Sequence, residues 1–145
     1  MDDIGRFLQE QDNPERGHES YQTALEEIKN GKKLTHWIWY VFPQIAGLGI
    51  SDDSIKFAIR NKEEAVEYLN HPILGKRLLK ITEVLLSIKN KTMFEVFFLD
   101  EKKLRSSMTL FEAVSEENEI FTLVLDKLLK GKRCKKTLSN LSNSH

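Results

Sequence analysis

The chain of 145 residues has one cysteine, Cys134, so it cannot form an intrachain disulfide. A structural zinc site of the Cys/His type is also excluded, because such sites need several convergent thiolates or imidazoles. No metal-ligand set is expected, and nothing in the sequence names a cofactor. Three prolines and seven glycines leave most of the chain free for regular structure. No stretch approaches the ~18 apolar residues of a membrane span. The N-terminal Met1-Asp2-Asp3-Ile4 is acidic and lacks the long apolar run of a signal peptide. Together these absences predict a cytoplasmic protein without a membrane partner. There is no internal repeat and no low-complexity linker.

Net charge is also lacking, with 22 basic residues against 22 acidic ones. The balance is uneven along the chain. Glu112, Glu116, Glu117 and Glu119 crowd one segment, whereas from Lys127 onward there are basic residues and no acidic one. This pattern reads as a solvated charged face followed by a basic tail. Hydrophobic residues make up 40% of the chain and charged residues 30%, which is globular composition and not the signature of disorder. The length suits one domain, which can bury ~68–70% of its unfolded surface.

The apolar periodicity is helical almost throughout. Ile4, Phe7 and Leu8 mark a short first helix, followed by a polar loop from Gln11 to Gly17. Tyr21, Ala24, Leu25 and Ile28 line a second helix that ends before Gly31. Ser51 with Asp52 and Asp53 caps a helix predicted to carry Ile55, Phe57, Ala58 and Ile59, and Asn61 caps the next. The strongest stripe is Leu74, Leu78, Ile81, Leu85 and Ile88, opened by Asn70-His71-Pro72. Thr92 starts a short helix through Phe97. Asp100 caps a helix bearing Leu104, Met108 and Phe111, and Ser115 caps one bearing Ile120 to Leu128. Thr137, Leu138 and Leu141 close the pattern. The prediction is an all-α, compact multihelical single domain over residues 1–141, with a disordered tail at 142–145.

The segment Thr35 to Gln44 is ambiguous. Its aromatic and β-branched content suits a strand. Its all-round apolarity suits a buried helix capped by Thr35 and stopped before Pro43. No partner strand is evident elsewhere, so a short buried helix is expected.

Four motifs share an order and spacing. They are His36-Trp37-Ile38-Trp39-Tyr40-Val41-Phe42-Pro43-Gln44; Gly47-Leu48-Gly49 with Ser51; His71-Pro72-Ile73-Leu74-Gly75-Lys76-Arg77-Leu78; and the run from Asp100 through Lys103, Leu104, Ser106, Ser107, Met108 and Thr109 to Phe111. In these the chain resembles a bacterial domain-of-unknown-function family whose members are sometimes labelled calpastatin. The resemblance spans about Phe7 to Leu141 and implies a compact multihelical domain. It brings no reaction and no catalytic residues with it. This chain departs from the family in having Cys134 where an acidic residue is common, and Glu95 where glycine is frequent.

Candidate functional residues follow from chemistry, each beside its structural alternative. His36 can serve as a general acid or base, or bond to backbone as a buried histidine. Trp37 and Trp39 can stack on a planar ligand, but at i and i+2 they point to different faces, so at least one is expected in the core. Gln44 can read a ligand's polar edge or bond to its own loop. The Gly47-Leu48-Gly49 turn reads as ordinary turn and cap chemistry, since Asp52 and Asp53 would repel an anion. Arg77 can clamp a carboxylate or phosphate, or sit in an exposed ion pair.

Lys103, Arg105, Ser106, Ser107 and Thr109 form the most function-like set, because small hydroxyls are poor helix-interior formers. They line a polar pocket, or else bond back to the i−4 carbonyl. No hydrolase signature surrounds the serines. The tail Lys130-Gly131-Lys132-Arg133-Cys134-Lys135-Lys136 can track a phosphate backbone, but no nucleic-acid-binding motif accompanies it.

Three readings therefore stand. The first is a small-molecule or nucleotide-like ligand-binding domain, with catalysis left open. The second is a protein-interaction module, and the third a nucleic-acid binder led by the tail. His36, Gln44, Arg77, Ser106 and Ser107 are expected to meet at the principal pocket. The sequence does not address oligomeric state.

Overall fold

The computed structural model describes residues 3–143. Its elements in order are α1 (Gly5–Asp12), α2 (Tyr21–Lys29), α3 (Ile38–Val41), α4 (Asp52–Lys56), α5 (Lys62–Asn70), α6 (Leu74–Ser87), α7 (Met93–Phe97), a 3₁₀ turn (Phe98–Asp100), α8 (Glu101–Val114), α9 (Ile120–Leu128) and α10 (Lys135–Asn143). The fold is all-α, as the periodicity predicts. Among the described residues the β-structure amounts to one isolated parallel bridge, between Ile45 and Ile59.

Two helices organise the rest. α6 packs on α2, α5 and α9, and α8 packs on α5, α7, α9 and α10. The α6 stripe Leu74, Leu78, Ile81 and Leu85 is fully buried, each side chain contributing about 1.5–3 kcal/mol of hydrophobic stabilisation. The His71-Pro72-Ile73-Leu74-Gly75 motif fixes the corner between α5 and α6. His71 Nδ1 accepts from the backbone N–H groups of Ile73 (3.1 Å) and Leu74 (3.2 Å), so the imidazole caps α6. Gly75 lets α6 lie against the end of α5, because a Cβ there would stand 2.0 Å from the Leu69 carbonyl oxygen. Thr92 and Glu95 form a reciprocal capping box on α7.

Four local expectations are corrected. Thr35 does not cap the aromatic helix. Its hydroxyl donates to Glu27 Oε2 at 2.5 Å, and the helix is only the single turn Ile38–Val41. The helix begun at Ser51 stops at Lys56, short of Ile59. Phe57 and Ile59 are both buried while Ile55 is exposed. Residues two apart share a side in extended chain but not on a helix. Ile59 accordingly pairs with the loop, its N–H donating to the Gln44 carbonyl at 2.8 Å while its own carbonyl accepts from Ala46 N–H at 2.8 Å. Ser115 makes a turn by accepting from Asn118 N–H at 3.1 Å, and α9 begins only after Glu119. Finally, α10 continues through Ser142 and Asn143. The remaining tail residues, Ser144 and His145, lie outside the described residues, as does the Met1-Asp2 start.

Candidate functional site

The largest described cavity, about 730 Å³, opens between three pieces of chain. One wall is the first half of α8, which supplies Lys102, Lys103, Arg105 and Ser106. The facing wall is Trp39 of α3, Gln44, and the loop Leu48-Gly49-Ile50-Ser51 running into Ser54 of α4. The third edge is Cys134 and Lys136 at the start of α10. The helical repeat explains the α8 set, since 102, 103 and 106 fall on one side of the helix.

The basic tail is fastened to this edge. Arg133 forks onto Glu112, with Nε donating to Oε1 at 3.0 Å and Nη2 to Oε2 at 2.5 Å, and its Nη1 donates to Asp126 at 2.6 Å. The next residue, Cys134, donates its N–H to Thr109 Oγ1 at 3.0 Å, and Thr109 donates in turn to the Arg105 carbonyl at 2.8 Å. Thr109 is thus a buried strut that places Cys134. Burial pushes the Cys134 thiol pKa up. The Ser106 and Thr137 hydroxyls and the backbone N–H groups of Thr137 and Lys136 outweigh it, and the net shift is downward.

The loop wall is held from behind. Ser51 Oγ accepts from Ser54 N–H at 3.1 Å, capping α4. A Cβ on Gly49 would meet Ser54 Oγ at 2.5 Å. His18 spans α1 and α4, its Nδ1 2.5 Å from Glu10 Oε2 and its Nε2 3.1 Å from Asp53 Oδ2. Its ring also stacks behind Trp39, with centroids 5.7 Å apart. Burial opposes the His18 charge, but the bonds to Glu10 and Asp53 prevail and raise its pKa. Glu10, Glu15 and His18 converge within metal-ligand reach. Lys56 already occupies Glu15 and Asp53 takes the second imidazole nitrogen, so these groups satisfy one another.

Of the residues singled out from sequence, Gln44, Lys103, Arg105 and Ser106 line the cavity. Trp39 lines it as well, while Trp37, His36, Arg77, Ser107 and Thr109 lie elsewhere. Trp37 is fully buried, and its Nε1–H donates to Glu27 Oε1 at 2.9 Å. That carboxylate also accepts the backbone N–H groups of Leu34 (2.7 Å) and Thr35 (3.1 Å). His36 is exposed and borders a separate groove of about 190 Å³ beside Phe98 and Leu99. Arg77 ties α6 to α1, donating to Gln11 Oε1 at 3.0 Å and pairing with Asp12 at 2.8 Å. Ser107 and Thr109 are fully buried, the former without a hydrogen-bond partner.

The expectation that His36, Arg77 and Ser107 share the principal pocket is therefore corrected. On α8, Ser106 and Ser107 differ by a rotation of about 100°, so only one can face the cavity. Trp39, one of the two tryptophans read from sequence as a stacking candidate, lines the cavity, whereas Cys134 and Lys136 were read only as part of the basic tail. The one available signal was a cysteine at the position immediately before a helix start.

Comparison with known proteins follows this geometry. The family model described as "Protein of unknown function (DUF1810)" matches residues 1–141. The crystal structure of the conserved hypothetical protein Rv1873 from Mycobacterium tuberculosis resembles this chain with a TM-score of 0.90 and 35% identity, covering 97% of each chain. No curated protein matches the chain.

Proposed function

The chain belongs to the DUF1810 family, and since that membership brings no reaction with it, we propose from the chain's own cavity that it is a small-molecule-binding domain. One observation carries this reading. Gln44, Lys103, Arg105 and Ser106 come from two distant segments, yet they border one cavity of about 730 Å³. That volume is in the ordinary range for ligand pockets. The lining mixes an aromatic and aliphatic side with cations and hydroxyls and contains no carboxylate or imidazole. Such a lining can hold a polar ligand against an apolar wall. Free Cys134 fits a cytoplasmic setting, and no helix among the described residues is long and apolar enough to cross a membrane.

A thermal-shift screen of nucleotides, sugars and amino acids tests the reading. A compound that raises the melting temperature of the wild type should do so much less in Arg105→Gln and undiminished in His36→Ala, which lies outside the cavity. Loss of the shift in His36→Ala alone would move the site to the other groove.

A second reading rests on a different surface. Leu34, Phe94, Phe98 and Leu99 are 71%, 49%, 61% and 71% exposed, and exposed apolar clusters mark interaction sites. The nucleic-acid reading has less support, because Arg133 of the tail is committed to Glu112 and Asp126.

A further inference from the structure

The chain is neutral overall, yet two adjoining hollows are strongly cationic. The cavity described above is bordered by Lys102, Lys103, Arg105 and Lys136. A second groove, of about 590 Å³, is bordered by Lys91, Arg105, Lys127, Lys130 and Lys132, with Glu101 as its one acid. Arg105 belongs to both linings, so the two hollows share this residue. Its Nε is buried and has no hydrogen-bond partner. Among the described residues Lys103 is paired with Asp100, whereas Lys102, Arg105, Lys130, Lys132 and Lys136 make no ion pair. Cations left unpaired at a concave surface concentrate anions there. The guanidinium fork matches phosphate oxygens in particular.

Two cationic hollows joined at a shared arginine fit an elongated ligand with anionic charge in both better than a compact anion in one. The first hollow also holds the Trp39 indole, a platform for a planar group. We propose that the ligand is a nucleotide carrying at least two phosphates. Its planar base occupies the Trp39 side of the first cavity, and its phosphate chain passes Arg105 toward Lys130 and Lys132. This rests on the small-molecule reading of the cavity and adds the ligand's class and direction.

The test is calorimetric titration with adenosine, AMP, ADP, inorganic pyrophosphate and a single-stranded DNA of about twenty nucleotides. Affinity should rise from adenosine to AMP to ADP, each phosphate adding about tenfold or more. Arg105→Gln should weaken AMP and ADP together. The double change Lys130→Asn, Lys132→Gln touches exposed side chains, and asparagine tolerates the positive φ of Lys130 (62°). It should bring ADP down to the AMP level and leave AMP unchanged.

If ADP and AMP bind equally, or the double variant changes nothing, the phosphate path is wrong and the cavity reading survives. The nucleotide class is overturned, but not the cavity, if none of these binds while a sugar or amino acid does so in an Arg105-dependent way. Complete silence across both sets sinks both. A salt-steep preference for the oligonucleotide over ADP would make the band a nucleic-acid surface and overturn the proposal.

Discussion

The Ser106 hydroxyl has one proton and two acceptors in reach, the Lys102 carbonyl oxygen at 3.0 Å and Cys134 Sγ at 3.4 Å. When Cys134 ionises, the proton can turn from the carbonyl to the sulfur. Together with the Lys136 and Thr137 N–H groups at the start of α10, this lowers the thiol pKa against the effect of burial. The rate of Cys134 alkylation by iodoacetamide should therefore reach half its maximum at a lower pH than the ~8.5 of an unperturbed cysteine. Ser106→Ala should move that midpoint upward. Mass spectrometry of the modified chain across pH measures both. A wild-type profile matching a free thiol would contradict the geometry.

Glu27 organises the segment before the aromatic helix. It accepts from Leu34 N–H, Thr35 N–H, the Thr35 hydroxyl and the buried Trp37 indole. Glu27→Ala strands the indole donor and should cost about 2–4 kcal/mol in urea unfolding. Burial raises the Glu27 pKa, but those donors outweigh it and the net shift is downward. A depressed carboxylate stabilises the fold above its unfolded pKa, and that contribution is lost as pH falls through the folded value. Acid sensitivity should therefore be shallower in Glu27→Gln than in the wild type. Parallel acid titrations of the two proteins would refute this.

The Arg6–Glu64 pair joins α1 to α5 from inside the protein. Arg6 donates to both Glu64 oxygens, at 3.1 and 2.7 Å, and also to the carbonyls of Asp3, Lys56 and Ala58. Glu64→Ala takes the two-oxygen carboxylate partner from a buried arginine, 6% exposed. The expected loss is about 3–5 kcal/mol, read from the urea midpoint. A change under about 1 kcal/mol would mean that the remaining partners of Arg6 satisfy it without Glu64.

What the sequence made legible divides along physical lines. The α6 stripe and the Asn61 and Thr92 caps are local patterns, and they sit where periodicity and capping chemistry put them. The Phe57-Ala58-Ile59 turn-out was not legible, because its bridge to Ile45 depends on a partner distant in sequence. The hydroxyl-rich middle of α8 was recognisable as unusual. Its division into a cavity residue (Ser106), a strut (Thr109) and a core residue (Ser107) depends on which face meets α10. Cys134 and Lys136 were hidden inside a run of basic residues that composition marks as solvated tail.

His18 should give the protein an alkaline weakness. Its folded pKa lies above the ordinary 6.5 because the bonds to Glu10 and Asp53 overcome burial. A raised histidine pKa stabilises fully below the unfolded value, and that contribution is lost as pH rises through the folded one. In the wild type, urea midpoints should fall as pH rises from the ordinary histidine value through the higher folded one. In His18→Gln the fall should largely disappear. Because Asp53 lies in α4, amide exchange in residues 51–56 should quicken over the same interval. An unchanged slope in the variant would assign the weakness to another group.

Phe98 occupies backbone that suits glycine, with φ 52° and ψ −126°. Holding a bulky side chain there costs about 1–3 kcal/mol. Its ring recovers little of this from packing, being 61% exposed, and among the described residues its one ring contact is to Phe94, itself half-exposed, at 5.3 Å. Phe98→Gly removes the strain, while the added freedom of the unfolded chain costs about 0.5–1 kcal/mol. The variant should therefore be more stable than the wild type by about 1 kcal/mol, seen as a higher melting temperature. A strained, solvent-facing phenylalanine beside Leu34 and Leu99 is hard to attribute to stability, so the same variant also probes the interaction reading. A less stable Phe98→Gly would show instead that the ring anchors the turn between α7 and α8. The exposed cluster would then be part of the fold's own packing and not a surface for a partner.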